Sequence, residues 1–263
     1  MLYICICAKI TFQLRYFIEL SYKGTNYHGW QYQPNAITIQ ELLNKALSTI
    51  FRTTIDVLGA GRTDSGVHAE QLFAHFDLDY KFNLNEVIYK LNSILPNDIV
   101  VHTILKVKED AHARFDALSR SYEYRIYKGR NPFLTETTWQ LINKKLNVDK
   151  MNEAAKILLT YTNFQCFSRS NTDVKTFNCI ISNAFWKENG EELVFYISAD
   201  RFLRNMVRAI VGTLIEVGEG KIAIEDFKKI IESKNRCNAG PSAPAQGLFL
   251  TKVAYPKTLF INE

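Results

Sequence analysis

The sequence has little of several residue types and patterns that mark special classes of protein. Its 263 residues include 12 glycines and 6 prolines, too few for a collagen-like, linker-rich or disordered chain. No apolar run approaches the roughly 20 residues that a membrane-spanning helix requires. The N-terminal apolar run stops at Lys9 and lacks the basic leader and small-residue cleavage site of a signal peptide. What remains is a globular protein of one large or two small domains.

Cysteine and histidine occur without the spacing of a disulfide framework or a metal site. The five cysteines are scattered, odd in number and form no Cys-x-x-Cys pair; they are Cys5, Cys7, Cys166, Cys179 and Cys237. The five histidines show neither a His-x-His nor a His-Glu-x-x-His pattern. We therefore expect free thiols in a reducing cytosol and no metal. We also expect no cofactor, because no cofactor-binding motif is visible.

Positive charge is concentrated in the second half of the chain. The sequence carries 32 basic and 27 acidic residues, a net charge of +5. Residues 1–110 hold 10 basic and 11 acidic side chains, so residues 111–263 carry a net charge of +6. A basic second half suits a polyanionic partner, although the charge alone does not identify one.

The first half shows the periodicities of a small α+β unit. Alternating apolar residues predict strands at 15–22, 54–59, 71–79 and 98–107. Helical stripes predict helices at 38–52 and 85–95, the first of them starting with a capping box of Thr38 and Glu41. The order β-α-β-β-α-β is that of a ferredoxin-like unit.

The second half repeats this order without repeating the residues. The predicted strands lie at 119–128, 177–187, 191–199 and 247–255, and the predicted helices at 149–160, 201–217 and 224–232. We therefore predict an α+β fold of two ferredoxin-like halves, residues 15–110 and 111–263, behind an N-terminal extension at 1–14. The halves would form one continuous antiparallel sheet with helices on one face, leaving the other face open for a large ligand.

A glycine-rich loop contains the densest polar cluster of the sequence. The run Gly59-Ala60-Gly61-Arg62-Thr63-Asp64-Ser65-Gly66-Val67-His68-Ala69 places an acid beside an arginine on a backbone that a ligand can approach closely. An ordinary turn between two strands, with Asp64 forming an Asx-turn, is the alternative. The run is neither a P-loop nor a Gly-x-Gly-x-x-Gly dinucleotide motif.

Three arginines accompany a long apolar segment. Arg201, Arg204 and Arg208 are spaced i, i+3 and i+7, so a helix over 201–217 would place them on one face. No Asp or Glu occurs from 201 to 215. Arginines without nearby acids suit phosphates or a carboxylate elsewhere in the fold, and a solvated basic stripe is the alternative.

Basic and aromatic residues interleave from Ala113 to Arg125. Tyr122 and Tyr124 would project from the same face of a strand. Aromatic rings with nearby arginines hold unstacked bases in RNA-binding proteins. A strand that buries its tyrosines against a helix is the alternative.

Taken together, these motifs resemble the bacterial tRNA pseudouridine synthase A family. GRTDSGVHA resembles the signature loop of that family, and LSYKGTNYHGWQYQPNAITIQ resembles its opening strand, loop and helix. RFDALSRSYEYRIY, FLRNMVRAIVGTL and APAQGLFLTKVAYP resemble its later motifs in the same order. The resemblance covers about residues 15–256. Lys23 departs from it, at a position where the family usually carries Asp.

The resemblance implies a fold, an activity and roles for several residues. It implies two ferredoxin-like halves around a basic RNA-binding cleft, in a cytoplasmic homodimer that isomerises uridine to pseudouridine at positions 38, 39 and 40 of the tRNA anticodon stem-loop without a cofactor. Asp64 matches the catalytic aspartate, Tyr122 the tyrosine that packs on the target base, and Arg208 the arginine that pairs with the aspartate. Arg62 matches an arginine that helps to hold the flipped-out nucleotide.

Several alternatives stay open at the level of sequence. Asp64 would either attack a carbon of the nucleoside or remove its C2′ proton, and either Tyr122 or water would take the C5 proton. Arg201 and Arg204 would supply phosphate contacts. An RNA-binding module without catalysis, or a synthase for another RNA or another uridine, would share much of this pattern.

Overall fold

The computed structural model describes residues 14–170 and 174–261. The predicted extension lies outside this part of the chain except for Leu14, which belongs to the first strand. The strands are β1 (Leu14–Tyr22), β2 (Leu58–Gly59), β3 (His68–Leu78), β4 (Ile99–Val107), β5 (Ser119–Tyr127), β6 (Trp139–Gln140), β7 (Ile181–Asn189), β8 (Glu192–Ala199) and β9 (Leu248–Ala254). The α-helices are α1 (Ile39–Phe51), α2 (Leu84–Ile94), α3 (Val148–Ile157), α4 (Met206–Gly218) and α5 (Ile224–Ser233).

The nine strands in the described part of the chain form one sheet. Its order is β4-β1-β3-β9-β5-β8-β7, with β2 beside β3 and β6 beside β5. In the first half the strands lie in the order fourth, first, third, second, and β9-β5-β8-β7 repeats that order in the second half. This is the strand order of a ferredoxin-like unit. The predicted α+β fold is confirmed.

The sheet is mostly antiparallel, as predicted, but two of its strand pairs run parallel. The two halves join where β3 and β9 run parallel, through the pairs His68–Phe249 and Ala69–Leu250. β5 and β6 also pair in parallel. No hairpin connects β3 to β9, so nothing forces them to run in opposite directions. Because they pair in parallel, β3 and β9 both begin at the same end of the sheet.

The first half packs its helices on one face of β1, β3 and β4. Tyr16, Ile18 and Leu20 alternate along β1 and share a core with Leu43 of α1. Thr38 begins α1 as predicted, since its hydroxyl accepts a hydrogen bond from the Glu41 amide at 3.4 Å. The helix therefore sits at a defined position against the sheet.

The second half buries α4 almost completely. Tyr124 and Ile126 of β5 and Phe195 of β8 share a second core with α3 and α4. Gly212 allows α4 to approach the segment before β9, because a Cβ there would lie 1.7 Å from the carbonyl oxygen of Pro241. The middle of α4 is therefore packed closely against Pro241 and Ala243.

The predicted helix at 201–217 is wrong at its start. Residues 201–205 are not helical, and α4 begins at Met206. Asn205 adopts a left-handed backbone with φ of 65° and donates a side-chain hydrogen bond to Ser242 at 2.6 Å. The i, i+3, i+7 face of Arg201, Arg204 and Arg208 therefore does not form.

The face of the sheet opposite the helices is only partly open. Over the second half it carries polar and aromatic pairs such as Phe185 stacked on Tyr196 at 5.0 Å. Over the first half, Phe17 packs against Tyr255 and Phe260, so the C-terminal segment covers this face. An entirely open face, as the pattern predicted, is not what forms.

Two further observations concern the described part of the chain. Cys166 and Cys179 are free and buried, and Cys237 is free and exposed. Cys5 and Cys7 lie outside the described residues. Among the described helices, none has the length and apolar composition needed to cross a membrane.

Candidate active site

The loop from Ala60 to Val67, which carries Asp64, is held by the segment that follows β1. Ser65 Oγ and the Gly66 amide both donate to the Tyr27 carbonyl, at 3.3 and 3.2 Å. The Trp30 amide donates to the Thr63 carbonyl at 3.3 Å. Backbone bonds on both sides of Asp64 therefore fix the path of the loop.

Two glycines make this packing possible. A Cβ at Gly24 would lie 2.0 Å from the Val67 carbonyl oxygen, and one at Gly29 would lie 2.3 Å from the Thr63 carbonyl oxygen. Gly29 also has φ of +86°, which glycine adopts readily. Sequence reasoning placed residues 23–35 in the loop of the opening motif and missed their role as a support for Asp64. The sequence feature that could have indicated this role is the pair of glycines, Gly24 and Gly29.

The Asp64 carboxylate faces two arginines from the second half of the chain. Its Oδ2 lies 3.4 Å from Arg208 Nη1, and its Oδ1 lies 3.8 Å from Arg204 Nε. The side chain of Asp64 is 26% exposed, so a ligand can reach it while both arginines stay close. A carboxylate is one of the side chains that can act as a nucleophile or a base, and these contacts orient it.

Arg208 is anchored to the segment before β9. Its Nε donates to the Ala243 carbonyl at 2.7 Å, and the Ala243 amide donates to the Arg208 carbonyl at 2.9 Å. The guanidinium is therefore oriented by α4 and by residues 239–243 together. The parallel junction of β3 with β9 brings this segment next to the Asp64 loop.

Tyr122 lies on the side of the sheet where the helices pack. Tyr122 is two residues before the buried Tyr124 in β5, so both side chains project from the same face of the sheet. Tyr122 also contacts the cores of both halves. Phe202 meets its ring edge-on at 5.1 Å. The candidate site is therefore on the helix-bearing side of the sheet, and not on the opposite face that the pattern left open for a ligand.

The phenol of Tyr122 is protonated at neutral pH. Burial raises the pKa of Tyr122 to about 12, while Arg120 acts in the opposite direction and Asp64 adds to the rise. The effects of Arg120 and Asp64 on this pKa indicate that both charged side chains lie near the Tyr122 hydroxyl. The tyrosine therefore offers a ring face and a neutral hydroxyl beside Asp64.

Arg120 connects the parts of the site through backbone carbonyls. Its Nη2 donates to Ala60 at 3.0 Å and to Arg114 at 2.5 Å. Its Nη1 donates to Ala117 at 2.9 Å and to Asp200 at 2.8 Å. Sequence reasoning missed this residue, because bonds to backbone carbonyls leave no side-chain pattern, and two of these carbonyls lie 60 and 80 residues away.

The remaining predicted residues are placed unequally. Partial burial lowers the pKa of Arg62, and the charges of Arg114 and Arg204 lower it further, so these three guanidinium groups are neighbours. Arg201 forms no hydrogen bond or ion pair with Asp64 within the described residues. Its amide bonds to Asp200.

Comparison with known proteins shows the family. A sequence model of the tRNA pseudouridine synthase family matches residues 20–116 and 154–256. The chain belongs to this family. It is 54% identical over 248 residues to the tRNA pseudouridine synthase A of Bacteroides fragilis, covering 94% of this chain and 98% of that protein. It is 53% identical to the Bacteroides thetaiotaomicron protein of that name, covering 95% and 93% of the two chains.

A more distant relative extends the comparison. The tRNA pseudouridine synthase A of Thermoanaerobacter sp. (strain X514) is 40% identical over 240 residues, covering 90% of this chain and 98% of that protein. The ranges matched by the family model include Asp64, Arg204 and Arg208. Tyr122 and Arg120 lie between those ranges, so their place in the site rests on the geometry. No group of His, Cys, Asp or Glu within residues 14–170 and 174–261 could hold a metal ion.

Proposed function

We propose that this member of the tRNA pseudouridine synthase family isomerises uridine to pseudouridine at positions 38, 39 and 40 of the tRNA anticodon stem-loop, with Asp64 as the catalytic group. The observation that carries the proposal is the Asp64 carboxylate, which lies between Arg208 and Arg204 and beside Tyr122. It brings a carboxylate, cations and a ring face together at one place.

The proposed reaction needs only groups that this arrangement supplies. The N1–C1′ bond breaks, the uracil rotates, and a C5–C1′ bond forms. The C5 proton leaves and N1 gains a proton, so the atoms balance and nothing is oxidised or reduced. Asp64 acts at the sugar or the base, by attacking a carbon or by taking the C2′ proton. Arg208 orients the carboxylate through the 3.4 Å ion pair.

Tyr122 packs on the target uracil in this proposal. A target base must leave its stack before it can react, and stacking on an aromatic ring offsets part of that cost. Because the pKa of Tyr122 is raised to about 12, the neutral phenol is a poor base at pH 7. Tyr122 would have to lose its own proton before it could take the C5 proton, and water is the alternative acceptor.

The arginines around Asp64 would hold the RNA backbone. Arg62 and Arg204 are exposed and lie close together, so they can bind phosphates near the flipped nucleotide. Arg201 remains a candidate phosphate contact on the segment before α4. We further propose that the protein acts in the cytoplasm as a homodimer.

A substitution of Asp64 tests this function. Asp64→Asn keeps the shape of the side chain and removes its charge, so we expect no pseudouridine in an anticodon stem-loop transcript and nearly unchanged binding of that RNA. Pseudouridine has the mass of uridine, so the product is detected by carbodiimide labelling. Asp79→Asn, a change at an exposed acid after β3, is the matched control and should keep full activity.

The outcomes separate the proposal from its rivals. Normal labelling by Asp64→Asn would remove Asp64 from the mechanism. RNA binding without labelling by the unchanged protein would favour a binding module. Mapping pseudouridines in tRNA from cells that lack the gene would show whether positions 38, 39 and 40 are the sites modified.

A further inference from the structure

A short segment between β4 and β5 lies at the edge of the candidate active site. This segment, residues 112–118, is named here the rim segment, and it carries Arg114 and Phe115. Arg120 Nη2 donates both to the Arg114 carbonyl, at 2.5 Å, and to the Ala60 carbonyl, at 3.0 Å. The rim segment is therefore adjacent to the loop that carries Asp64.

Hydrogen bonds hold the rim segment in one conformation. His112 donates from its amide to Asp116 Oδ2 at 2.7 Å, and the Asp116 amide donates back to the His112 carbonyl at 3.0 Å. The His112 Nδ1 accepts from the amides of Arg114 and Phe115, at 3.1 and 3.3 Å. The two side chains therefore extend from a backbone that is already ordered before any ligand binds.

Phe115 is held in the open by this arrangement. Its ring is 75% exposed, and the His112 ring packs on it with centroids 4.2 Å apart. The Arg114 guanidinium lies 6.0 Å from the centroid of the same ring. An exposed ring on an ordered backbone offers a flat apolar surface at low entropic cost, which suits stacking of an unpaired base.

The charges beside this ring favour an anionic ligand. Arg114 and Arg204 both lower the pKa of Arg62, after the larger effect of partial burial. Within the described residues, neither Arg62 nor Arg114 forms an ion pair with an acidic side chain. Like charges that close together repel one another, so a phosphate placed among them would relieve the repulsion.

We infer that Arg114 and Phe115 form a binding subsite for a loop nucleotide that flanks the target uridine, with the ring stacking on the unpaired base and the guanidinium binding its phosphate. The inference rests on the proposed function, since it assumes RNA at Asp64. Its ligand class is a single-stranded ribonucleotide, and its position extends the site beyond Tyr122 along the rim segment.

Substitution of Phe115 tests the stacking contact. In the Asp64→Asn background, which prevents turnover, Phe115→Ala should weaken binding of an anticodon stem-loop RNA by about ten-fold. Phe115→Trp should restore binding to within about three-fold, because tryptophan also offers a stacking face. Tyr89→Ala is the matched control, because Tyr89 on α2 is also 75% exposed and should leave binding unchanged.

An abasic scan of the RNA identifies the nucleotide. Removing one base next to the target should weaken RNA binding by about ten-fold in the protein that keeps Phe115. The same abasic RNA should show no further loss of binding in Phe115→Ala. Arg114→Gln should reduce the slope of log affinity against log salt by about 1, whereas Phe115→Ala should leave that slope unchanged.

The outcomes decide the inference separately from the proposed function. The stacking contact would be overturned if Phe115→Ala bound the RNA as tightly as the Asp64→Asn protein that keeps Phe115, with the same thermal unfolding midpoint. Equal losses in Phe115→Ala and Tyr89→Ala would also overturn it. An absence of pseudouridine formation by the wild-type protein would contradict the proposed function, while the binding measurements would still decide the subsite.

Discussion

The two arginines beside Asp64 differ in how firmly they are held. Arg208 is 21% exposed and donates its Nε to the Ala243 carbonyl, so its guanidinium has a fixed orientation. Arg204 is 56% exposed and lies 3.8 Å from the carboxylate. Arg208 is therefore suited to orient Asp64, and Arg204 is suited to leave it for a phosphate.

This difference predicts unequal effects of the same substitution. Arg208→Lys keeps the charge but loses both the bond to Ala243 and the planar fork, so we expect kcat to fall by about 100-fold with little change in RNA affinity. Arg204→Lys is the matched control and should reduce kcat by less than about ten-fold. Single-turnover labelling of a stem-loop RNA measures both, and equal effects would contradict the division of roles.

The site residues were predicted to different extents from the sequence. Asp64, Tyr122 and Arg208 lie in motifs with a family resemblance, and the structure brings them together. Arg120 could not be predicted in the same way, because its partners are four carbonyl oxygens up to 80 residues away. Hydrogen bonds to the backbone place no demand on the identity of the partner side chain.

At the scale of elements, strands and helices with regular apolar spacing were predicted to within a few residues. α4 is the informative exception, since its apolar pattern continues through residues 201–205 while the helix does not. The left-handed conformation of Asn205 depends on a bond to Ser242, 37 residues later in the chain. A local pattern cannot reveal a helix start that is set by a distant contact.

The packing of α4 predicts a sensitive position far from the chemistry. Gly212→Ala would place a methyl group 1.7 Å from the Pro241 carbonyl oxygen, so residues 239–243 must move. We expect a loss of about 1–3 kcal/mol in the free energy of unfolding. Activity should also fall, because Arg208 is anchored at Ala243.

Urea denaturation and single-turnover labelling check this prediction. Gly129→Ala is the matched control, because its added methyl group would meet only the ring of Tyr127, at 3.3 Å. If Gly212→Ala were as stable and as active as the control, α4 would not be pressed against residues 239–243.

At the scale of the whole molecule, the order of elements predicted the two ferredoxin-like units but not the way they join. The junction consists of two residue pairs between β3 and β9, which are too few to produce a pattern in either strand. Only the assembled sheet shows that the Asp64 loop and residues 239–247 meet at this junction. That meeting is what unites the acid of one half with the arginines of the other.

Folding stability of the whole chain should depend on a buried histidine. The pKa of His75 is lowered from 6.5 to about 4, mainly by burial and then by the charges of Arg15 and His112, against the smaller opposing effects of Asp77 and Asp116. At pH 5 the unfolded chain therefore binds a proton that the folded chain does not. This contribution to stability is fully present above about pH 6.5 and is lost as the pH falls towards 4. By pH 5 the loss amounts to about 2 kcal/mol.

Urea denaturation at pH 7 and pH 5 tests this contribution. In the folded protein, His75 Nδ1 accepts a hydrogen bond from the Ala113 amide. His75→Asn places an amide oxygen near the position of that nitrogen and removes the titrating group. We expect the variant to lose about 2 kcal/mol less than the wild-type protein between the two pH values. An identical pH dependence in both proteins would show that His75 does not titrate as described.

The parallel junction also sets the order in which the site can be completed during synthesis. Asp64 is made early, but His68, four residues later, bonds through its ring to the Gln246 carbonyl, 178 residues further along the chain. A ribosome-bound chain that stops before β9 has the acid loop without its neighbouring strand and without the Ala243 anchor of Arg208. The geometry that defines the site thus arises only when nearly all of the described chain has emerged, and no earlier intermediate carries it.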